Sequence, residues 1–127
     1  MRVVNAVSGL LQRKDKILIA ERPAGKPYSG YWEFPGGKIE ENESGEQALI
    51  RELHEELGIT VNAATFLFQH EYTYPDKIVH LQLWLVNDFS GEPHGLENQT
   101  LAWVDLSEIK NYRLLDGNWS LVEKLDL

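Results

Sequence analysis

The chain has 127 residues, of which 25% are charged and 43% hydrophobic, a composition typical of one globular domain. It contains no cysteine, which excludes a disulfide scaffold, a thiolate metal site and a cysteine nucleophile and fits a reducing compartment. The net charge of -8 at pH 7 argues against binding to nucleic-acid polymers, since that affinity comes mainly from lysine and arginine. No apolar run reaches the length of a signal peptide or a membrane span. We therefore expect a single cytoplasmic domain over residues 1–127 that binds neither membranes nor nucleic acid.

The N-terminal third predicts a hairpin followed by a long loop. Apolar residues dominate residues 3–11 and 16–20, and Lys14-Asp15 between the two segments is a typical turn pair. Two prolines and two glycines within residues 22–30 indicate a loop there. After a short aromatic segment, Pro35-Gly36-Gly37 is expected to turn the chain.

A helix is predicted from Ser44 to about Leu57. Ser44 is a good N-cap residue, and Gln47 three positions later completes a capping box. Gly58 is expected to end the helix in the left-handed conformation, which glycine adopts without strain. An apolar stripe at helical spacing is expected to face the core and comprises Leu49, Ile50, Leu53 and Leu57.

The C-terminal half predicts three strands and two helices. Residues 60–74 and 78–86 read as two long strands joined by a short turn, and the second alternates regularly in side-chain type. After a polar loop come a short strand at residues 101–104, a short helix through Tyr112 and a last helix from residue 118 to about residue 125. Strands grouped around a central helix and a C-terminal helix indicate a mixed α/β sandwich.

Glu52, Glu55 and Glu56 share one face of the predicted central helix, because they are spaced three and four positions apart. Like charges at this spacing repel one another, so these side chains are either exposed to water or hold a cation. Carboxylates on one side of a helix supply the oxygen ligands that Mg²⁺ and Mn²⁺ prefer. Lys38, shortly before the helix, offers a positive charge to a phosphate.

The segment GGKIEENESGEQALIRELHEELGI, residues 36–59, resembles the Nudix box of the nucleoside-diphosphate-linked-moiety hydrolases. Every defining position of the motif is filled, from Gly37 through Glu43 and Arg51-Glu52 to Gly58-Ile59. Chance is a poor explanation, because the motif is long and combines several residue types. Further similarity to the MutT branch, the 8-oxo-dGTP diphosphatases, is found at residues 33–38, 72–76 and 91–93, at Glu97 and at Asn118.

This resemblance implies the Nudix fold, a mixed β-sheet between α-helices in the α/β class. It implies that water attacks a phosphorus of a nucleoside triphosphate and that the products are the monophosphate and pyrophosphate. Mg²⁺ or Mn²⁺ is the implied cofactor, held by the carboxylates of Glu52, Glu55, Glu56 and Glu97 and by the carbonyl of Gly36.

The resemblance also implies catalytic roles for four residues. The proton of the attacking water passes to a carboxylate, for which Glu52 is the first choice and Glu55 and Glu97 are the alternatives. Arg51 is expected to pair with Glu43 and thereby orient the catalytic helix.

The substrate is expected to contact Arg22, Phe34, Gly37, Lys38, Tyr74, Leu81 and Asn118. Arg22 and Lys38 are the candidates for the phosphates. Asn118 matches the position that contacts the base, where its amide would offer a donor and an acceptor; alternatively it caps the last helix. The aromatic residues and the leucine of this set either line the pocket or lie in the core.

Three places depart from the MutT branch, namely Asn5, Lys77 and Leu114-Leu115, and all are expected near the base. Substrate identity is therefore open between 8-oxo-dGTP, which the enzyme would remove from the precursor pool, and CTP or a modified pyrimidine nucleotide. A third hypothesis is a nucleotide-binding module without turnover. In each case the partner is a small nucleotide, and we expect a monomer or a weak homodimer.

Overall fold

Seven strands, two α-helices and one 3₁₀ helix form the chain in the computed structural model, which describes residues 1–125. In chain order the elements are β1 (Arg2–Arg13), β2 (Lys16–Glu21), β3 (Trp32–Glu33), β4 (Gly36–Lys38), α1 (Gly45–Leu57), β5 (Thr60–Tyr74), β6 (Lys77–Ser90), β7 (Thr100–Asp105), the 3₁₀ helix (Leu106–Asn111) and α2 (Asp116–Lys124). The predicted domain end at residue 127 lies outside the described residues. Within residues 1–125, no helix combines the length and apolarity needed to cross a bilayer.

The sheet is mixed, and β1 is its central strand. β1 pairs parallel with β6 and antiparallel with β2 and β4, while β5 and β6 form a long antiparallel hairpin. β2 also pairs with β3 and β7. The predicted strands and the first hairpin are confirmed, because each lies on an apolar or alternating segment bounded by turn residues.

Apolar side chains cover both faces of this sheet. Along β1, Val7 and Leu11 belong to one core cluster and Leu10 to the other, because successive side chains of a strand point to opposite faces. The first cluster packs on α1, and the second on the 3₁₀ helix and α2. The expected α/β class, a mixed sheet between helices, is therefore confirmed.

The predicted start and end of α1 are confirmed. The hydroxyl of Ser44 accepts a hydrogen bond from the backbone N–H of Gln47, whose side chain in turn accepts from the N–H of Ser44. Gly58 ends the helix with φ of 73°, and its N–H donates to the carbonyl of His54. These bonds satisfy backbone groups that a helix terminus otherwise leaves free, and they fix where α1 begins and ends.

Three expectations for these elements were wrong. Ile50 is 39% exposed, and Ala48 takes its place in the apolar face of α1. Gly36 and Gly37 do not turn the chain but form β4, in which Gly37 pairs with Val7 of β1. The last helix begins at Asp116, two residues before its predicted start.

Candidate functional site

A cavity of about 380 Å³ opens where β1, β4 and α1 meet the N-terminal end of α2. Eleven of the thirteen residues expected at the site line this cavity, so the fold brings together segments distant in sequence. From β4, α1 and the loop before β7 come Gly36, Gly37, Lys38, Glu52, Glu56 and Glu97. From the other elements come Arg22, Phe34, Tyr74, Leu81 and Asn118. The other two, Arg51 and Glu55, lie outside the lining.

The carboxylate of Glu52 lies directly over Gly37. A Cβ at residue 37 would displace this carboxylate from its position. Gly36 is more strictly constrained, because an added Cβ would collide with the backbone of Val7 in β1, which cannot move aside as a side chain can. The two glycines therefore bring bare backbone next to the acidic side chains of α1.

Arg51 links α1 to the segment before it. Its Nε and Nη2 donate to the two carboxylate oxygens of Glu43 at 2.8 and 2.9 Å, and Nη2 also donates to the carbonyl of Lys38 at 3.1 Å. Its Nη1 donates to Oε1 of Glu52 at 2.9 Å. The bidentate contact between Arg51 and Glu43, together with the hydrogen bond that Glu43 accepts from the N–H of Glu40, lowers the pKa of Glu43 to about 2. Arg51 thus pairs with Glu43, as predicted, and also holds Glu52 by one oxygen. Its orienting role stays a prediction.

Glu56 is the buried carboxyl group of the cluster. Burial, reinforced by the neighbouring carboxylates of Glu52, Glu97 and Glu33, raises the pKa of Glu56 to about 10. Its Oε2 atom is buried and has no hydrogen-bond partner among residues 1–125. An unpaired oxygen inside a group of carboxylates needs either a proton or a cation. The oxygen-only donor set fits a hard divalent cation such as Mg²⁺ or Mn²⁺.

Glu97 is held near Glu56 by the loop that precedes β7. The side chain of Gln99 accepts from the N–H of Glu97 at 2.8 Å and donates to the carbonyl of Glu56 at 3.1 Å. Gln99 therefore joins this loop to α1. Glu97 itself is exposed at the cavity wall.

Glu55 is the expected ligand that the structure places farthest from the cavity. Its side chain is 55% exposed, and Oε2 lies 3.6 Å from Nη1 of Arg51. Across the described residues, 1–125, no three His, Asp or Glu side chains stand together in an arrangement ready to hold a metal. The expected metal-ligand set therefore stays a prediction, which requires the side chain of Glu55 to turn if it takes part.

Asn118 faces the cavity from the first turn of α2. It is 7% exposed, and its Oδ1 accepts a hydrogen bond from the backbone N–H of Phe34 at 2.9 Å. It does not cap the helix, because Leu115 occupies the N-cap position. The hydroxyl of Tyr74 accepts from the N–H of Gly117 at 3.3 Å, so the end of β5 and the residue that follows β3 both contact this turn. With Oδ1 already bonded, the amide NH₂ of Asn118 is the group left for a ligand.

Glu33 is a site residue that the sequence reasoning missed. Its carboxyl group lines the cavity, and burial raises its pKa, an effect that Arg22 opposes. Nη1 of Arg22 lies 3.6 Å from Glu33, and Nε of Arg22 is buried without a hydrogen-bond partner in the described chain. The sequence feature that could have identified Glu33 is its position in residues 33–38, the segment similar to the MutT branch. Lys77, noted only as a departure, also lines the cavity.

Known proteins are similar to this chain in sequence and in fold. The CTP pyrophosphohydrolase of Escherichia coli (strain K12) is 40% identical over 123 residues, 97% of this chain and 91% of that protein. The 8-oxo-dGTP diphosphatase of the same strain is 38% identical over 120 residues, covering 94% and 93%. These relatives match nearly the whole chain, so the similarity is not confined to the acidic helix.

Solved structures agree with this similarity. A MutT structure from a study of the Aliivibrio salmonicida and Vibrio cholerae proteins has a TM-score of 0.81 and 37% identity, covering 97% of this chain and 96% of that one. The MutT NUDIX hydrolase of Burkholderia pseudomallei has a TM-score of 0.86 and 27% identity, with coverage of 97% and 98%. The NUDIX domain profile matches residues 1–125. The expected resemblance is confirmed, and the chain belongs to the NUDIX family.

Proposed function

We propose that the chain is a metal-dependent nucleoside triphosphate pyrophosphohydrolase that converts 8-oxo-dGTP to 8-oxo-dGMP and pyrophosphate. The observation that carries this proposal is the buried Oε2 of Glu56, which lies near other carboxylates and has no hydrogen-bond partner within residues 1–125. The cavity that holds it also presents the Asn118 amide. The 8-oxo-dGTP diphosphatase relatives support the choice of substrate. Removal of oxidised nucleotides from the cytoplasmic precursor pool is the corresponding cellular role.

Mg²⁺ or Mn²⁺ would be held by Glu52, Glu56, Glu97 and the carbonyl of Gly36, with Glu55 as a further ligand after rotation of its side chain. When bound, such an ion lowers the pKa of water and neutralises charge on the phosphates. The acidic cavity needs this neutralisation, because carboxylates alone repel a triphosphate.

Glu52 is the proposed general base. Arg51 occupies Oε1 of Glu52, so Oε2 is the oxygen that accepts the proton of the attacking water. The water oxygen forms a bond to phosphorus, and the bridging P–O bond between the monophosphate and pyrophosphate parts breaks. Arg51 and Glu43 keep the base in one orientation during this step.

Lys38 and Arg22 are proposed to bind phosphate oxygens, and Gly37, which also lines the cavity, is proposed to contact the same phosphates. At the other part of the cavity, the NH₂ group of Asn118 would donate to an acceptor on the base. Tyr74 and Leu81 would contact the faces of the base and sugar.

A second candidate substrate is CTP, because a relative named CTP pyrophosphohydrolase is 40% identical. The donor that Asn118 has free does not separate the two candidates, since both 8-oxoguanine and cytosine carry acceptors. The distinction then depends on the shape of the cavity between Tyr74, Leu81 and Lys77.

The test is turnover of a nucleotide panel by the purified chain with Mg²⁺ or Mn²⁺ and identification of the products. Preferential conversion of 8-oxo-dGTP to 8-oxo-dGMP and pyrophosphate is the expected result. Faster conversion of CTP or a modified pyrimidine nucleotide would replace the first candidate by the second. Tight nucleotide binding without turnover would refute the enzymatic proposal in favour of a binding module.

A further inference from the structure

A second cavity of about 510 Å³ adjoins the first on the side of the loop after β2. Arg22, Glu33, Glu56 and Glu97 line both cavities, so the two spaces meet at the acidic cluster. Asn118 lines only the first cavity, so a ligand whose base contacts Asn118 and whose phosphates reach the shared carboxylates meets the second cavity on the side of the carboxylates away from Asn118. The second cavity would therefore lie next to the phosphate end of the substrate, away from the base.

One side of the second cavity is formed by the loop of residues 22–30, which lies between β2 and β3. Backbone hydrogen bonds join the two ends of this loop. The N–H of Arg22 donates to the carbonyl of Tyr31 at 2.8 Å, and the N–H of Gly30 donates back to the carbonyl of Arg22 at 3.0 Å. Inside the loop, Lys26 donates to the carbonyl of Pro23 at 3.3 Å and accepts from Ser29 at 3.2 Å. The backbone of Lys26 is therefore held at the cavity wall.

Two cationic side chains of this cavity have unused donors. Lys26 forms no ion pair with any carboxylate in the described chain, which extends to residue 125. Arg22 contacts Glu33 only at 3.6 Å, and its Nε is buried without a hydrogen-bond partner in that same part of the chain. Donors of this kind match the oxygens of a phosphate group.

We propose that the second cavity binds the pyrophosphate end of the substrate and that Lys26 is a further substrate-binding residue, specific for this end. The inference rests on the proposed function, because that function defines which end of the substrate lies beyond the carboxylates. Lys26 contributes to binding of the triphosphate and of free pyrophosphate but not of the nucleoside monophosphate. Arg22, shared by both cavities, contacts phosphates on either side of the bond that breaks.

The test is calorimetric titration of the full chain, in Mg²⁺, with inorganic pyrophosphate and separately with 8-oxo-dGMP. The variant is Lys26→Ala, the conservative variant is Lys26→Arg, and Lys110→Ala at an exposed position of the 3₁₀ helix is the matched control. We expect Lys26→Ala to weaken pyrophosphate binding about fivefold to tenfold and to leave 8-oxo-dGMP binding within about twofold. Lys26→Arg retains most of the affinity, and Lys110→Ala matches the unmodified chain.

Three results would overturn the inference: no pyrophosphate binding by the unmodified chain, equal pyrophosphate affinity of Lys26→Ala and Lys110→Ala, or equal weakening of both ligands by Lys26→Ala. The titration requires no turnover, so it separates this inference from the proposed function. A chain that binds pyrophosphate through Lys26 but hydrolyses no nucleotide refutes the function alone. If the chain hydrolyses 8-oxo-dGTP but Lys26→Ala binds pyrophosphate as tightly as the unmodified chain, the inference alone is refuted.

Discussion

Glu52 and Glu56 lie one helical turn apart on α1 but have different surroundings. Glu52 is fixed by Arg51 and touches Gly37, whereas Glu56 is buried and keeps an oxygen unpaired within the described residues. A general base must exchange protons with water, and a buried carboxylate is better placed to hold a cation. Glu56 is therefore proposed only to hold the cation, whereas Glu52 is proposed both to hold the cation and to act as the base.

Replacing Glu52 by Gln should lower kcat by about 10²–10⁴, because the amide cannot accept the proton of the attacking water. Steady-state kinetics at saturating Mg²⁺ measures the loss, and circular dichroism checks that the variant is folded. Glu46→Gln, on the exposed first turn of the same helix, is the control and should match the unmodified rate. If Glu52→Gln kept its rate, Glu52 would not be the base, and Glu55 and Glu97 would be tested next.

Replacing Asn118 by Ala should reduce discrimination between bases more than it reduces metal affinity. The measurement is the ratio of kcat/KM for 8-oxo-dGTP and dGTP, together with Mn²⁺ affinity. We also expect a loss of about 1–3 kcal/mol in the free energy of unfolding, since the N–H of Phe34 loses its acceptor. Asn111→Ala, at an exposed position, controls for the substitution itself. An unchanged ratio would show that Asn118 has only a structural role.

At this scale the sequence predicted which residues line the cavity better than it predicted their surroundings. Helical spacing placed Glu52 and Glu56 one turn apart on the same side of α1, but it did not predict that Glu55 lies outside the cavity lining. The raised pKa of Glu33 comes from burial and from the charge of Glu97, distant in sequence, and is opposed by Arg22. The bond between Asn118 and Phe34 joins segments that no local pattern connects.

At the scale of elements, the capping signals of α1 allowed its limits to be predicted, because caps are local chemistry. β4 could not be predicted in this way, since glycine disfavours strands and only pairing with β1 makes these residues extended. Ala48 and Ile50 lie at opposite edges of the apolar stripe, so periodicity does not decide which of them is buried. The position of α1 against the sheet decides it.

The capping box of α1 should be measurable as stability. Ser44→Ala removes the side-chain acceptor for the N–H of Gln47 and should lower the free energy of unfolding by about 1 kcal/mol. Urea denaturation measures this change, and Ser107→Ala at an exposed position of the 3₁₀ helix is the control. Equal stability of the two variants would mean that the capping box does not help to fix α1.

At the scale of the whole molecule, the sheet has apolar clusters on both faces and also positions an acidic site. When no cation is bound, the carboxylates of this site lower the free energy of unfolding. Because the pKa of Glu56 is raised to about 10 from an ordinary value of 4.5, the folded chain binds this proton more tightly than the unfolded chain does. The stability that the bound proton contributes is full below pH 4.5 and is lost progressively as pH rises toward 10.

We therefore expect the metal-free chain to lose thermal stability between about pH 5 and pH 9, as this linkage requires. Mg²⁺ or Mn²⁺ should raise the melting temperature more at pH 8 than at pH 5, since protons compete for the same oxygens. Glu56→Gln should flatten both dependences. A melting temperature of the unmodified chain that rises with pH in this range, or metal stabilisation that is equal at both values, would contradict this.

The most direct measurement of the central claim is anomalous diffraction from crystals of the chain grown with saturating Mn²⁺. The account predicts an anomalous peak among the carboxylate oxygens of Glu52, Glu56 and Glu97 and the carbonyl of Gly36. Anomalous peaks for Mn²⁺ at other places in the crystal, with no peak in this cavity, would contradict the account.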